Sequence, residues 1–135
     1  NKAIQVFNKG EMYRDFTFID DTVDALYKII IKKPSKDVSF NSFKPKPNIS
    51  NCKYRIFNIG NNKSIKLNKF IELLEKEIKI KAKKKYLNMQ MGDVKSTVAS
   101  NKILKKWINQ KNGTPHEIGI KKFVEWYFEY FKIYT

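Results

Sequence analysis

The segment "GEMYRDFTFIDDTVDALYKII", residues 10–30, leads from a turn through a short extended stretch into an amphipathic helix. Asp20 or Asp21 can cap that helix, since a short acidic side chain accepts hydrogen bonds from the free N–H groups of a first turn. The helix is expected to run to about Lys32, and Pro34 ends it. Its apolar residues share one face: Val23, Leu26, Ile29 and Ile30. The segment therefore predicts mixed α and β structure.

Three other segments are rich in β-forming residues and are bounded by turn residues, which predicts short strands. They are "AIQVFN" at 3–8, "YRIFNIG" at 54–60 and "AKKKYLN" at 82–88. The stretch "DFTFI" at 15–19 is predicted to be extended. Because these segments are short and far apart in the sequence, any sheet that they form is expected to be small.

Three further helices are predicted from apolar spacing and capping residues. Residues 64–80 carry apolar side chains at 67, 70, 71, 74 and 78, the spacing of an amphipathic helix. Ser100 is expected to cap a short helix, "NKILKKWI". Thr114 is expected to cap the last helix, with Pro115 and Glu117 in its first turn and its end near Phe131.

A few short strands with about four helices predict an α+β fold, in one domain that covers residues 1–135. Residues 33–52 are rich in Pro, Ser, Asn and Lys without periodicity, which predicts a long flexible loop. So small a sheet leaves apolar helix faces with little to cover them, so we expect the chain to pack on another unit. It begins with Asn and not Met, which suggests an excised piece or a processed product.

The charge balance is strongly basic, at +15 with 28 Lys and Arg against 13 Asp and Glu. A basic nucleic-acid-binding domain is therefore one alternative. The lysines are scattered or lie on predicted helix faces, which favours a solvated surface over a nucleic-acid footprint. No apolar stretch is long enough to span a bilayer, so no membrane association is expected. The single cysteine, Cys52, cannot form an internal disulfide, which fits the cytoplasm.

Only two of the basic residues are arginines, Arg14 and Arg55. A guanidinium grips phosphate oxygens with two parallel hydrogen bonds, whereas a lysine ammonium acts as a point charge. Arg14 is therefore a candidate for anion binding; the alternative is a surface ion pair with Asp15 or Asp20. One histidine, His116, and one cysteine give no metal-ligand spacing, and the residues suggest no catalytic site.

The string "VFNKGEMYRDFTFIDDTVDAL" resembles the extended short-chain dehydrogenase/reductase family, the NAD-dependent nucleotide-sugar epimerases and dehydratases. Three segments follow in the family's order: "YRIFNIGNNKSIKLNKFIELLEKEI", "LNMQMGDVKSTVASNKILKKWI" and "TPHEIGIKKFVEWYFEYF". The resemblance covers nearly the whole chain. It is strongest to UDP-glucuronate or galacturonate 4-epimerases, including members of capsular polysaccharide biosynthesis. It concerns the C-terminal, substrate-binding portion of such enzymes.

The resemblance implies four substrate-binding residues for a UDP-sugar. Arg14 matches the arginine that holds the diphosphate, and Asp93 matches the aspartate that accepts hydrogen bonds from the ribose hydroxyls. Gln90 lies where galactose-type epimerases carry a second phosphate-binding arginine, so it offers only a neutral hydrogen bond. Phe7 lies where the family forms its uracil pocket, although a core position fits it equally well.

The family's NAD-binding glycine motif and Tyr-x-x-x-Lys pair lie upstream of the matching portion, and that Tyr-Lys spacing does not occur in this chain. The resemblance thus implies NAD in the parent enzyme, no cofactor-binding or catalytic residue here, and an N-terminal Rossmann half as partner. We expect the chain to be inactive alone. A substrate domain of a related dehydratase or decarboxylase stays open as an alternative, because the residues that decide the reaction lie upstream.

Overall fold

A computed structural model describes residues 2–110 and 112–133. The strands are β1 (Ile4–Val6), β2 (Tyr13–Arg14), β3 (Ile65–Lys66) and β4 (Lys84–Tyr86), with a 3-10 helix at Phe7–Gly10 between β1 and β2. The helices are α1 (Ile19–Ile31), α2 (Leu67–Ile78), α3 (Lys102–Ile108) and α4 (His116–Tyr130). Four helices with a few short strands confirm the predicted α+β class. None of the helices in the described ranges has the length and apolarity needed to span a bilayer.

Two small sheets join distant parts of the chain. β1 pairs with β4 in parallel, and β2 pairs with β3 in antiparallel fashion. A parallel pair of strands needs a long crossover connection. Here that connection contains the 3-10 helix, β2, α1, β3 and α2. One cluster of buried side chains lies between α1 and α3: Ala25, Leu104 and Ile108, with Ile29, Phe57, Ile59 and Trp107 packed against them.

The predicted strand at 54–60 is wrong, since its one bridge in the described ranges joins Arg55 to Ile49. Burial nevertheless alternates along the segment as in a strand: Tyr54 and Ile56 are exposed, whereas Phe57 and Ile59 pack on the core. The residues therefore have the strand's pattern, but the described chain supplies no neighbouring strand to pair with it. Residues 33–52 form turns without a helix or named strand, and their flexibility stays a prediction.

The three predicted caps are also wrong, because the polar side chains bond across the fold. Phe18 occupies the N-cap position of α1, and the Asp21 carboxylate accepts hydrogen bonds from the N–H and hydroxyl of Thr114, at 2.7 and 2.9 Å. Thr114 therefore tethers the chain ahead of α4 to α1 and does not cap α4. Asn101, not Ser100, precedes α3, and its side-chain amide donates to the Gly60 carbonyl at 2.8 Å.

A buried carboxylate joins the end of α2 to β4. Glu75 is 5% exposed, and it accepts hydrogen bonds from Lys84 Nζ at 2.9 Å, from the Ala82 N–H at 3.0 Å and from Lys81 Nζ at 3.3 Å. The Lys84 bond, followed by the Ala82 N–H, lowers the pKa of Glu75 from 4.5 to about 2. Glu75 therefore holds the parallel β1–β4 pair against α2 only while it is ionised.

Stability should consequently fall in acid. Because the pKa of Glu75 is lower in the folded chain than in the unfolded one, its contribution is present above about pH 4.5 and is lost as the pH falls toward about 2. Asp37, whose pKa is lowered to about 2 by hydrogen bonds from Ser39 and by Arg55, acts in the same direction. We expect Glu75→Gln to reduce the loss of unfolding free energy over this pH range, measured by urea denaturation. An unchanged pH dependence in the variant would contradict this role.

Candidate functional site

The predicted site residues lie on two segments that run side by side, residues 7–14 and 87–97. At one end, the Leu87 N–H donates to the Val6 carbonyl at 2.9 Å. At the other end, the Tyr13 N–H donates to the Lys95 carbonyl at 2.9 Å, and the Thr97 N–H donates to the Tyr13 carbonyl at 3.2 Å. Phe7, Gln90 and Asp93 lie between these anchors and Arg14 directly follows Tyr13, so all four lie on the edge that the two segments form.

Arg14 and Asp93 form an ion pair across 79 residues of sequence, with 2.7 Å between Arg14 Nη2 and Asp93 Oδ1. Arg14 Nη1 also donates to the Tyr13 carbonyl at 2.9 Å, and Nη2 lies 3.4 Å from the sulfur of Met12. The pairing with Asp15 or Asp20 that the sequence left open is not observed. Both side chains keep partial access to solvent, 23% for Arg14 and 28% for Asp93. The guanidinium is therefore held in place while donors remain for a ligand.

A tight turn presents the aspartate. The Asp93 N–H donates to the Gln90 carbonyl at 3.2 Å, and Gly92 adopts a positive φ of 83° within the turn. Asp93 Oδ1 accepts hydrogen bonds from Arg14 Nη2 and from the Val94 N–H. The second carboxylate oxygen, Oδ2, has no donor among the described residues. That oxygen can accept hydrogen bonds from a ligand. Gln90 is exposed at the start of the same turn.

Phe7 begins the 3-10 helix and is half-buried. The next three residues, Asn8, Lys9 and Gly10, all have positive φ, which folds this segment tightly. The side chain of Asn68, in α2, packs on Gly10 and donates to the Lys9 carbonyl at 3.0 Å. Asn68 is a supporting residue that the sequence reasoning missed, because nothing local links it to residues 7–10.

Two glycines with similar backbone geometry provide a matched test of this support. A Cβ on Gly10 would lie 1.9 Å from Asn68 Oδ1, whereas a Cβ on Gly92 would meet nothing within 4 Å. Both substitutions place alanine at positive φ, which costs about 1 to 2 kcal/mol. We expect Gly10→Ala to lower the free energy of unfolding by at least about 1 kcal/mol more than Gly92→Ala, because the clash adds to the strain. Equal losses in chemical denaturation would contradict the packing of Asn68 on Gly10.

Asp15, the neighbour of Arg14, is a structural hub that the sequence reasoning did not single out. Its carboxylate accepts three backbone N–H groups, from Ala99 at 2.9 Å, Asn62 at 3.1 Å and Asn61 at 3.2 Å. The buried side chain of Asn61 extends this network to the carbonyls of Phe16 and Thr114. Asp15 thus ties the end of β2 to two distant loops, which fixes the backbone that carries Arg14.

The site contains one cation, one carboxylate and polar or aromatic neighbours, so it can bind an anion and polyols. No cluster of potential metal ligands occurs among the described residues. The five glycines are isolated in the sequence, so the chain offers no glycine-rich loop for the pyrophosphate of NAD. A separate cleft of about 340 Å³ lies between α2, α4 and residues 16–19. No Lys, Arg, Asp or Glu lines it, so it does not suit a diphosphate.

The chain matches proteins of known sequence and structure, although no family model matches it. It is 39% identical over 132 residues to "Protein CapI" of Staphylococcus aureus, covering 98% of this chain and 40% of that protein. It is 33% identical over 127 residues to a probable UDP-glucuronate 4-epimerase of Rhizobium meliloti, covering 93% of this chain and 37% of that protein. The chain thus spans about 40% of the length of these two relatives.

Among solved structures, UDP-glucose 4-epimerase of Thermotoga maritima with UDP-glucose superposes with a TM-score of 0.72 and 22% identity. The match covers 96% of this chain and 36% of the epimerase chain. Other matching structures include NAD-dependent epimerases and dehydratases, and the part that corresponds to this chain is C-terminal. The resemblance seen in the sequence is confirmed.

Proposed function

We propose that this chain, a homologue of the C-terminal part of NAD-dependent nucleotide-sugar epimerases and dehydratases, binds the uridine diphosphate end of a UDP-sugar. We further propose that the enzyme to which it contributes is a UDP-glucuronate 4-epimerase, as its Rhizobium meliloti relative is named. The observation that carries the proposal is the Arg14–Asp93 pair, formed by the two residues for which the resemblance implies diphosphate and ribose contacts.

The chemistry of the pair fits the two halves of the ligand. The guanidinium of Arg14 can turn its free N–H groups to two phosphate oxygens. The free oxygen of Asp93 can accept hydrogen bonds from neighbouring ribose hydroxyls, which a cation at the same place could not do. Gln90, exposed on the turn, can add a neutral hydrogen bond to the diphosphate. Phe7 lies at the Leu87 end of the same edge, where an aromatic ring can pack on a uracil base.

In this proposal the rest of the enzyme supplies NAD, the catalytic residues and the missing sheet. NAD would accept and return the hydride when the hydroxyl at C4 of the sugar is inverted. Segment 54–60 forms a single bridge among the described residues and exposes Tyr54 and Ile56, which fits an edge that pairs with a further strand. α1 also leaves a stripe of apolar side chains exposed at helical spacing: Ile19, Val23, Leu26, Tyr27 and Ile30. Both features support a nucleotide-binding half as the partner of this chain, and they support the expectation that the chain is inactive alone.

The related dehydratases and decarboxylases remain the second candidate, because the fold of this chain is shared by dehydratases as well as epimerases. All of these enzymes act on a sugar that is linked to a nucleoside diphosphate. A role at the diphosphate end is therefore independent of which reaction the assembled enzyme performs, and activity assays of the complete enzyme would distinguish the two.

A series of nucleotides tests the proposed site by calorimetry. Uridine, UMP and UDP share the base and ribose and differ in the phosphates. We expect UDP to bind at least about 10-fold more tightly than uridine, because charge-assisted bonds to Arg14 contribute about 1.5 to 3 kcal/mol. Adding salt should reduce this difference, since the site remains partly open to solvent. Equal affinities for uridine and UDP, or no binding of UDP, would contradict a diphosphate site in this chain.

A further inference from the structure

A second concave surface lies on another part of the molecule, between the loop at 33–52, the segment 54–60 and α3. This groove has a volume of about 710 Å³, within the usual range for small-ligand sites. Five basic side chains and one acidic side chain line it: Lys32, Lys46, Arg55, Lys102, Lys106 and Asp37. It shares no residue with the edge that carries Arg14 and Asp93. We call it the Trp107 groove, after the aromatic side chain in its wall.

An ion pair and two cation–π contacts connect the residues in one wall of the Trp107 groove. Arg55 is 12% exposed, forms an ion pair with Asp37 and lies over the Trp107 ring, with 5.4 Å from its guanidinium carbon to the ring centroid. Lys32 also lies over that ring, with Nζ 4.9 Å from the centroid, and donates a hydrogen bond to the Trp107 carbonyl. Asp37 accepts hydrogen bonds from the hydroxyl and N–H of Ser39, at 2.6 and 2.9 Å. These contacts join the loop at 33–52 to the segment 54–60 and to α3 on one side of the groove.

The charges in the Trp107 groove are unbalanced. The one carboxylate, Asp37, is already paired with Arg55. Lys32, Lys46, Lys102 and Lys106 form no ion pair among the described residues. Four ammonium groups around one concave space repel one another, and a concave wall concentrates their field. A multivalent anion in the groove would relieve that repulsion.

We propose that the Trp107 groove is a binding site for a triphosphate group, either free or as part of a nucleoside triphosphate. Lysine ammonium groups are point charges that can each approach a different oxygen, which suits a flexible chain of phosphates. A planar monovalent carboxylate would leave most of them unpaired. This site is separate from the proposed uridine diphosphate site and does not depend on it.

Fluorescence can follow the groove selectively, because the chain has two tryptophans and the other one, Trp126, lies in α4. In a Trp126→Phe background, sodium triphosphate should change the Trp107 emission in a saturable way at physiological salt. Lys102→Gln combined with Lys106→Gln should weaken binding at least about 10-fold. Lys83→Gln combined with Lys85→Gln removes the same charge from β4 and its approach, and should leave the affinity within about 2-fold. Urea denaturation of each variant confirms that it is folded.

Three outcomes would overturn the proposal. Equal weakening by both lysine pairs would show only the general attraction of a chain of charge +15 for anions. Loss of the response in Arg14→Ala would place the ligand at the other site. Absence of binding in both fluorescence and calorimetry would exclude the site. A parallel titration with ATP distinguishes the two sources: tighter binding of ATP than of triphosphate would indicate a nucleotide, and equal or weaker binding would indicate the free anion.

Discussion

Replacing Arg14 with alanine is expected to weaken UDP binding about 30-fold, which corresponds to about 2 kcal/mol. The variant loses the guanidinium that pairs with Asp93 at 2.7 Å and that is proposed to hold the diphosphate. It also leaves the Asp93 carboxylate without its cation, so the negative charge would then repel the phosphates. Because Arg14 lies partly in solvent, the free energy of unfolding should change much less than the affinity. Calorimetric titration with UDP and urea denaturation measure the two effects separately.

Two matched variants make the prediction specific. Arg14→Lys keeps the charge but loses the two parallel hydrogen bonds, so its affinity should lie between those of the wild type and Arg14→Ala. Arg55→Lys alters the other arginine of the chain, which pairs with Asp37 and packs on Trp107, and it should leave UDP affinity unchanged. The assignment of Arg14 fails if Arg14→Ala binds UDP as the wild type does, or if Arg55→Lys has the same effect.

Replacing Asp15 with alanine is expected to cost about 3 kcal/mol of stability, a large part of the total for a domain of this size. The carboxylate accepts three backbone N–H groups, from Asn61, Asn62 and Ala99, and alanine leaves all three without that acceptor. These bonds join three separate parts of the chain, so their loss should also loosen the backbone around Arg14. Urea denaturation measures the loss of stability.

Asp20→Ala is the matched control for Asp15→Ala, since both remove one negative charge from the same short segment. Asp20 is exposed in the first turn of α1 and accepts no side-chain hydrogen bond among the described residues. Its removal should cost only a weak interaction with the helix dipole, about 0.3 to 1 kcal/mol. Similar losses for the two variants would mean that net charge, and not the three N–H bonds of Asp15, accounts for the effect.

The parts of the fold that depend on local sequence could be predicted. The apolar spacing in residues 64–80 and the sequence "NKILKKWI" located α2 and α3 to within a few residues, because helical hydrogen bonds and side-chain faces are local. The strand at 54–60 was wrong for the opposite reason. Its residues alternate correctly, but a strand exists only beside another strand, and the sequence does not show whether one is available.

The predictions of the helix caps were wrong because a side-chain acceptor can form a hydrogen bond with any N–H group within reach. Asp20 or Asp21 was expected to cap α1, yet Asp21 binds Thr114, which is 93 residues away in the sequence. The same long-range pairing defines the candidate site. Arg14 was notable as a rare arginine and Asp93 through the family resemblance, but their contact depends on the alignment of residues 7–14 with 87–97. The Trp107 groove could not be predicted for a similar reason, because its four lysines are scattered in the sequence and only the fold brings them together around one space.

Residues 7–14 and 87–97 are proposed to form a uridine diphosphate site within this chain. A two-dimensional amide NMR titration of the isotope-labelled chain with UDP tests it most directly, because each backbone N–H reports its own surroundings. Saturable shifts are expected, concentrated at Phe7, Arg14, Gln90 and Asp93 and their neighbours, and they should be lost in Arg14→Ala. A folded chain whose shifts are absent, or lie in other segments, would contradict it.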